Sequence, residues 1–183
     1  MPPIPVAEMT PEQKQAAEEL IAGRRGEILG PFVAALRSPE FTRRLQRLGE
    51  YLRYDSSLEP RLREMAILLT AREWTQQFEW DAHAPLARDC GLKPELIQAI
   101  AEGRRPDGMA EDEEIIHDFF MELERNRSVS EGTYARAAAR FGEQGVIDLV
   151  GTIGYYSTLA RIMNVARTPL PEGKAPALEP FPR

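Results

Sequence analysis

RLREMAILLTAREWTQQFEWDAH, residues 61 to 83, sets the fold, because it concentrates acids, a histidine and large apolar side chains within two helical segments. Pro60 opens the first segment, whose Met65, Leu68 and Leu69 face inward, and Glu64, one turn before Leu68, sits at the edge of that buried face or inside it. A break near Trp74-Thr75 leads to a second helix, which closes near Cys90 with Gly91 in the left-handed position that ends many helices. With residues 75 to 89 helical, Gln76, Glu79 and His83 fall at i, i+3 and i+7 and project from one face. Glu79 and His83 are an i, i+4 pair. A carboxylate so placed accepts a hydrogen bond from one ring nitrogen and fixes the tautomer, which leaves the other nitrogen to move a proton. Glu64 supplies a second carboxylate from the preceding helix.

Nearer the N-terminus, Thr10, Pro11 and Gln13 form a capping box that starts a helix to about Ala22. A glycine-punctuated stretch from Gly23 to Gly30 and a short helix from Pro31 to Leu36 come next. Ser38-Pro39-Glu40 repeats the cap logic and opens a helix through about Tyr54, with Phe41, Leu45, Leu48 and Leu52 as its inward apolar stripe. Beyond Gly91, Lys93-Pro94-Glu95 begins a helix ending before Gly103, and Arg104 to Gly108 is a loop. Four consecutive acids, Glu111 to Glu114, begin a helix to about Arg125, where the helix dipole favours them. Ser130 caps another through about Phe141, and a long helix runs from Glu143 to about Ala166. No alternating strand pattern appears, so the fold class is all-α. The domain reading is an N-terminal helical arm (1–40), a helical domain (41–167) and a proline-rich extended tail (168–183). That tail holds five of the fifteen prolines and cannot be helical. It is either mobile or laid over a neighbouring subunit, as Leu170, Leu178 and Phe181 would allow.

At 183 residues, 43% apolar and 28% charged, the chain suits one soluble globular domain. The net charge of −6 argues against nucleic acid, since Arg24-Arg25 and Arg104-Arg105 are pairs rather than a basic stripe. One cysteine, Cys90, excludes an internal disulfide and multi-cysteine metal motifs, and is compatible with a cytoplasmic setting. The start, MPPIPVAEM, lacks a basic region and an apolar core of signal-peptide type, and the apolar segment Val146 to Ala160 is too interrupted to span a bilayer.

His117, on an acidic amphipathic helix beside Asp118, reads as surface, and Cys90 as an inert thiol at a helix end. Trp74, Phe78 and Trp80 read as core or pocket wall. Gly151 and Gly154 read as sites of close helix packing rather than a phosphate loop, there being no strand before them and no lysine after. Gln76 and Trp80, together with Tyr155, Tyr156, Arg161 and Asn164 on the long helix, are candidates to reach the pocket, with Arg161 holding a substrate carboxylate. An anionic substrate near two carboxylates requires that one be protonated or paired with an arginine, for which Arg63, Arg72 and Arg161 are candidates. A two-carboxylate, one-histidine metal site is a weak signal, lacking any His-Glu-x-x-His.

The order Glu64, Gln76, Glu79, His83 resembles the signature of the carboxymuconolactone decarboxylase family. The alkyl hydroperoxidase D-type branch of that family reads Glu, then Cys-x-x-Cys-x-x-x-His at the same spacing, and here Gln76 and Glu79 stand at the two cysteine positions. Disulfide-based peroxidase chemistry needs both thiols. The run FEWDAH is similar to the cysteine-free, decarboxylase-like branch. The resemblance extends from about Leu45 to Asn164, taking in Arg63-Glu64, Gly91-Leu92 and Gly154-Tyr155-Tyr156. It implies an alkyl hydroperoxidase D-like helical domain that assembles as a homo-oligomer (dimer, trimer or hexamer) and needs no metal or other cofactor. It also implies a small carboxylic acid or lactone as substrate, with His83, Glu79 and Glu64 catalytic: His83 delivers a proton, Glu79 holds the imidazole and Glu64 is second carboxylate or relay.

Overall fold

In the computed structural model, which describes residues 1–180, the chain runs through α1 (Pro11–Ala22), α2 (Pro31–Ala35), α3 (Pro39–Glu50), a π-helical turn (Tyr51–Asp55), α4 (Pro60–Glu73), α5 (Gln77–Asp89), α6 (Pro94–Ala101), α7 (Glu111–Asn126) and α8 (Glu131–Ala166). No strand occurs among the described residues, and none of their helices is long and apolar enough to cross a membrane.

Local chemistry sets most of the boundaries. The Thr10 hydroxyl accepts from Gln13 N at 3.3 Å while the Gln13 side chain accepts from Thr10 N at 3.0 Å. Proline stands in the first turn of α1, α2, α3, α4 and α6, where its missing N–H costs nothing. Ser130 caps α8 through Thr133 N, and the helix is broken at Gly142, whose φ of 71° is left-handed. Ser38 makes no capping bond, so Pro39 alone starts α3. The α4–α5 break falls at Thr75, with a φ of 46°. Asn164 of α8 holds it shut, donating to the Trp74 carbonyl at 3.0 Å and accepting from Gln76 Nε2 at 2.8 Å.

Two apolar clusters share α4. One joins Leu62, Met65 and Leu68 to Ile116, Phe119 and Phe120 of α7 and Leu149 and Ile153 of α8. The other joins Ile67 to Leu20 of α1, Phe32 of α2, Leu45 of α3 and Tyr155, Tyr156, Leu159 and Met163 of α8. Ten of the fourteen residues of α4 are buried, so this helix is enclosed on all sides and its Glu64 is desolvated with it.

Three expectations are corrected. The buried face of α3 is Thr42, Leu45, Gln46 and Gly49, rotated by roughly 80° from the apolar stripe at 100° per residue, so Phe41 and Leu48 stay exposed. Gly49 forces the rotation: a Cβ there would lie 2.0 Å from the Tyr155 hydroxyl, and Gln46 donates to the Glu19 carbonyl at the end of α1. Gly154 has nothing within 4 Å of a Cβ position, whereas Gly151 does admit Leu52. The tail lies on its own chain: Leu178 is 2% exposed in the first cluster, and Gln77 accepts from Ala177 N and Leu178 N and donates to the Leu178 carbonyl. Gln77 thus supplies the backbone partners that a proline-rich segment cannot find in a helix. Phe181 lies outside the described residues.

Candidate active site

Glu64, on the second turn of α4, and His83, on the second turn of α5, meet across the helical hairpin: Glu64 Oε2 lies 2.7 Å from His83 Nδ1. Both side chains are buried. A carboxylate at Nδ1 keeps the hydrogen on that nitrogen and directs the proton exchange of the ring to Nε2. The other carboxylate oxygen, Oε1, lies 4.0 Å from Arg63 Nε, so Glu64 is held between a cation and the imidazole. Tyr156 of α8 packs edge-on to the His83 ring, centroids 5.1 Å apart, and fixes its plane.

Glu79 is one turn before His83 yet does not hold it. Its Oε2 is buried with no hydrogen-bond partner, and burial pushes its carboxyl well above the usual carboxylate range. The i, i+4 spacing brings the two side chains close, but Nδ1 faces α4 and is already taken by Glu64. The two acids therefore divide: Glu64 is paired with the imidazole, while burial favours the protonated form of Glu79, which can donate a hydrogen bond or a proton.

Glu79 and His83 line a cavity of about 280 Å³ with Phe78, Tyr156 and two arginines, Arg25 and Arg53. Arg25 comes from the loop after α1, where Nη2 donates to the Tyr155 hydroxyl at 3.0 Å and Nε is buried without a partner. Arg53 comes from the π-helical turn and lies against Tyr54. Neither has a carboxylate partner among the described residues, although Glu27 also stands on the cavity wall. Burial pushes the Tyr155 hydroxyl up to about 12 and the Tyr156 hydroxyl higher, so both stay protonated. Two guanidinium groups without carboxylate partners, a buried acid and a carboxylate-held imidazole around one hollow suit a small anion and the transfer of a proton.

The residues proposed to bind substrate lie elsewhere. Gln76 caps α5, its Oε1 accepting from Phe78 N at 2.8 Å. Trp80 is core. Tyr155 supports Arg25 from behind the wall. Arg161 stacks over Trp74, its guanidinium 4.3 Å from the ring centroid. His117 is not a surface residue: it is 6% exposed, because α7 turns it toward Arg105 and Asp118. Cys90 is exposed, and partial burial together with the Glu64 charge pushes its thiol up, away from the reactive thiolate. Arg25 was missed because it sits in a loop, where no helical period registers a face, and Arg53 because it falls off the apolar stripe of the helix read through Tyr54. The only trace of them was the Arg24-Arg25 pair, read as too short to matter. Among the described residues no three His, Cys, Asp or Glu side chains converge to hold a metal ion.

Residues 39–113 match the model of the carboxymuconolactone decarboxylase family. The match contains Glu64, Gln76, Glu79, His83 and Arg53, and leaves Arg25 and Tyr156 outside. The fold is similar to a crystal structure described as an alkylhydroperoxidase AhpD core, an uncharacterized peroxidase-related protein from Ralstonia eutropha JMP134. The TM-score is 0.74 at 16% identity, over 94% of this chain and 92% of that one. No curated protein matches.

Proposed function

We propose, for a chain whose residues 39–113 match the carboxymuconolactone decarboxylase family model on an AhpD-like fold, that it is a carboxy-lyase releasing CO2 from a small carboxylated lactone or related acid. The observation that carries the reading is the buried Glu64–His83 pair, 2.7 Å apart, whose His83 lines one cavity together with Glu79.

The bond to the departing carboxyl group breaks, and its electron pair moves into the adjacent carbonyl system to give an enolate. CO2 leaves. Glu79, protonated, donates a hydrogen bond to the enolate oxygen in a desolvated site where that bond is strongest. His83, as the imidazolium, then gives the Nε2 proton to the carbon that lost CO2, while Nδ1–H stays bonded to Glu64, and solvent restores the proton on His83. Arg25 and Arg53 hold a carboxylate that is retained, since a guanidinium on the departing one would stabilise the ground state and oppose the reaction. The protein acts as a homo-oligomer; exposed Phe41 and Leu48 on α3 and Ile147 and Val150 on α8 support that reading.

The thiol-peroxidase reading has less support, because Gln76 and Glu79 occupy the two thiol positions and the Cys90 thiol is pushed up. A third reading, a binding protein without turnover, separates from the first two by experiment. CO2 release is measured from a carboxylated muconolactone and a panel of β-keto and lactone acids, with wild type and His83→Ala. Release by wild type that the folded variant loses supports the lyase, and no release from any member sinks it.

A further inference from the structure

The far end of α4 borders a second cavity, of about 550 Å³, that shares no wall with the first. Arg72, on its rim, is eight residues from Glu64, about 12 Å along the helix at 1.5 Å per residue. Leu69, Ile100 and Phe120 give it an apolar floor. Its walls carry five arginines against three acids, Glu73, Asp118 and Glu122. Two of those acids are engaged within the protein: Asp118 pairs with Arg105 and, at 3.1 Å, with Arg136, and Glu122 accepts from Ser130 N and from the Thr133 hydroxyl, both at 2.7 Å. Arg125 has no ion-pair partner among the described residues, and its charge is felt at His117.

His117 makes this more than a charged dent. It lines the cavity while 6% exposed. Two groups compete for Nδ1: Arg105 Nη1, which can only donate, at 3.0 Å, and Asp118 Oδ1, which can only accept, at 3.3 Å. The shorter contact, with Asp118 already taken by Arg105 and Arg136, favours Nδ1 as acceptor and the ring proton on Nε2. Nε2 has no partner among the described residues. The cavity thus offers an apolar surface, an N–H donor and a free guanidinium, with none of the groups that the proton relay uses.

We infer that this cavity is a binding site for an amphipathic organic carboxylate, whose apolar body covers Leu69, Ile100 and Phe120 and whose head is held by Arg125 and His117 Nε2–H. Its volume is in the range of sites for ligands of acyl-chain or ring size.

The chain's own methionines report on it separately: Met121 lines this cavity, Met163 the His83 cavity and Met1 an apolar groove beside Phe41. The full-length protein, labelled with ¹³C at the methionine methyls, is titrated with octanoate and with octanamide. The expected result is a saturable shift of the Met121 methyl at least about tenfold tighter for octanoate, and weakened about tenfold by Arg125→Ala, as for loss of a charge-assisted bond. Arg125 is exposed, so this variant keeps the fold. Equal binding of octanamide, no effect of Arg125→Ala, or shifts confined to Met163 or Met1 would overturn the inference. A Met121 shift that tracks protein concentration without octanoate would overturn it too, and assign the cavity to a contact between copies.

Discussion

Glu79→Gln replaces a neutral buried acid by its near isostere, and the structure fixes the sign of the resulting change in stability with pH. Burial raises the Glu79 carboxyl well above its unfolded value of 4.5, so between those two values the folded state binds a proton that the unfolded chain releases. The stability this contributes is fully present below about pH 4.5 and is lost as pH rises, at up to about 1.4 kcal/mol per pH unit, until the folded-state carboxyl itself ionises. The variant has no such group. The difference in unfolding free energy, variant minus wild type, therefore rises with pH, by no more than about 2.7 kcal/mol between pH 5 and pH 7. All other titrations are common to the two proteins and cancel. Urea unfolding of both at half-unit pH steps measures the difference, with equal m-values as the check on two-state behaviour. A flat difference, or one that falls with pH, would show that Glu79 is ionised in the fold, and would remove the neutral acid from the mechanism.

Glu64→Ala strands His83 in the interior and should cost about 3–5 kcal/mol in denaturant unfolding, whereas Glu64→Gln, which can still accept from Nδ1, should cost under about 2 kcal/mol; equal losses would contradict the pairing. Gly49→Ala places a methyl against the Tyr155 hydroxyl and should destabilise by about 1–3 kcal/mol, relieved in part by adding Tyr155→Phe if that hydroxyl is the obstacle. Leu178→Ala should cost about 2–5 kcal/mol, and a change within a few tenths would mean that the tail is not docked in solution. Arg25→Gln should raise KM about tenfold or more with a smaller change in kcat, the reverse split arguing against a binding role.

Helix starts were legible because their chemistry is local: Thr10 with Gln13, Ser130 with Thr133 and the first-turn prolines act within one turn. The α4–α5 break, the Gly91 termination and the inward face of α4 were readable for the same reason. What failed was the contact between elements. The α3 stripe predicted Phe41 and Leu48 inside, but the close approach of Gly49 to Tyr155 of α8, over a hundred residues away, chose a different face. Spacing singled out Glu79 and His83 as partners, yet the imidazole turned to Glu64 on the neighbouring helix. His117 looked superficial because its own helix is acidic, and its burial comes from the loop carrying Arg105. Arg25 reaches the cavity from a loop, which carries no period to read, and Arg53 from a helical turn, off the apolar stripe that the period picked out.

At the heart of the proposed mechanism, the Glu64–His83 pair delivers a proton to a carbon that has just lost CO2. Turnover of a carboxylated lactone in deuterated water, with NMR of the product, is the sharpest test of that step. One deuteron should appear at the carbon that carried the carboxyl group, at a rate that His83→Ala lowers by about 10²–10⁴. Deuterium-labelled product formed at the wild-type rate by a folded His83→Ala variant would contradict the role given to His83.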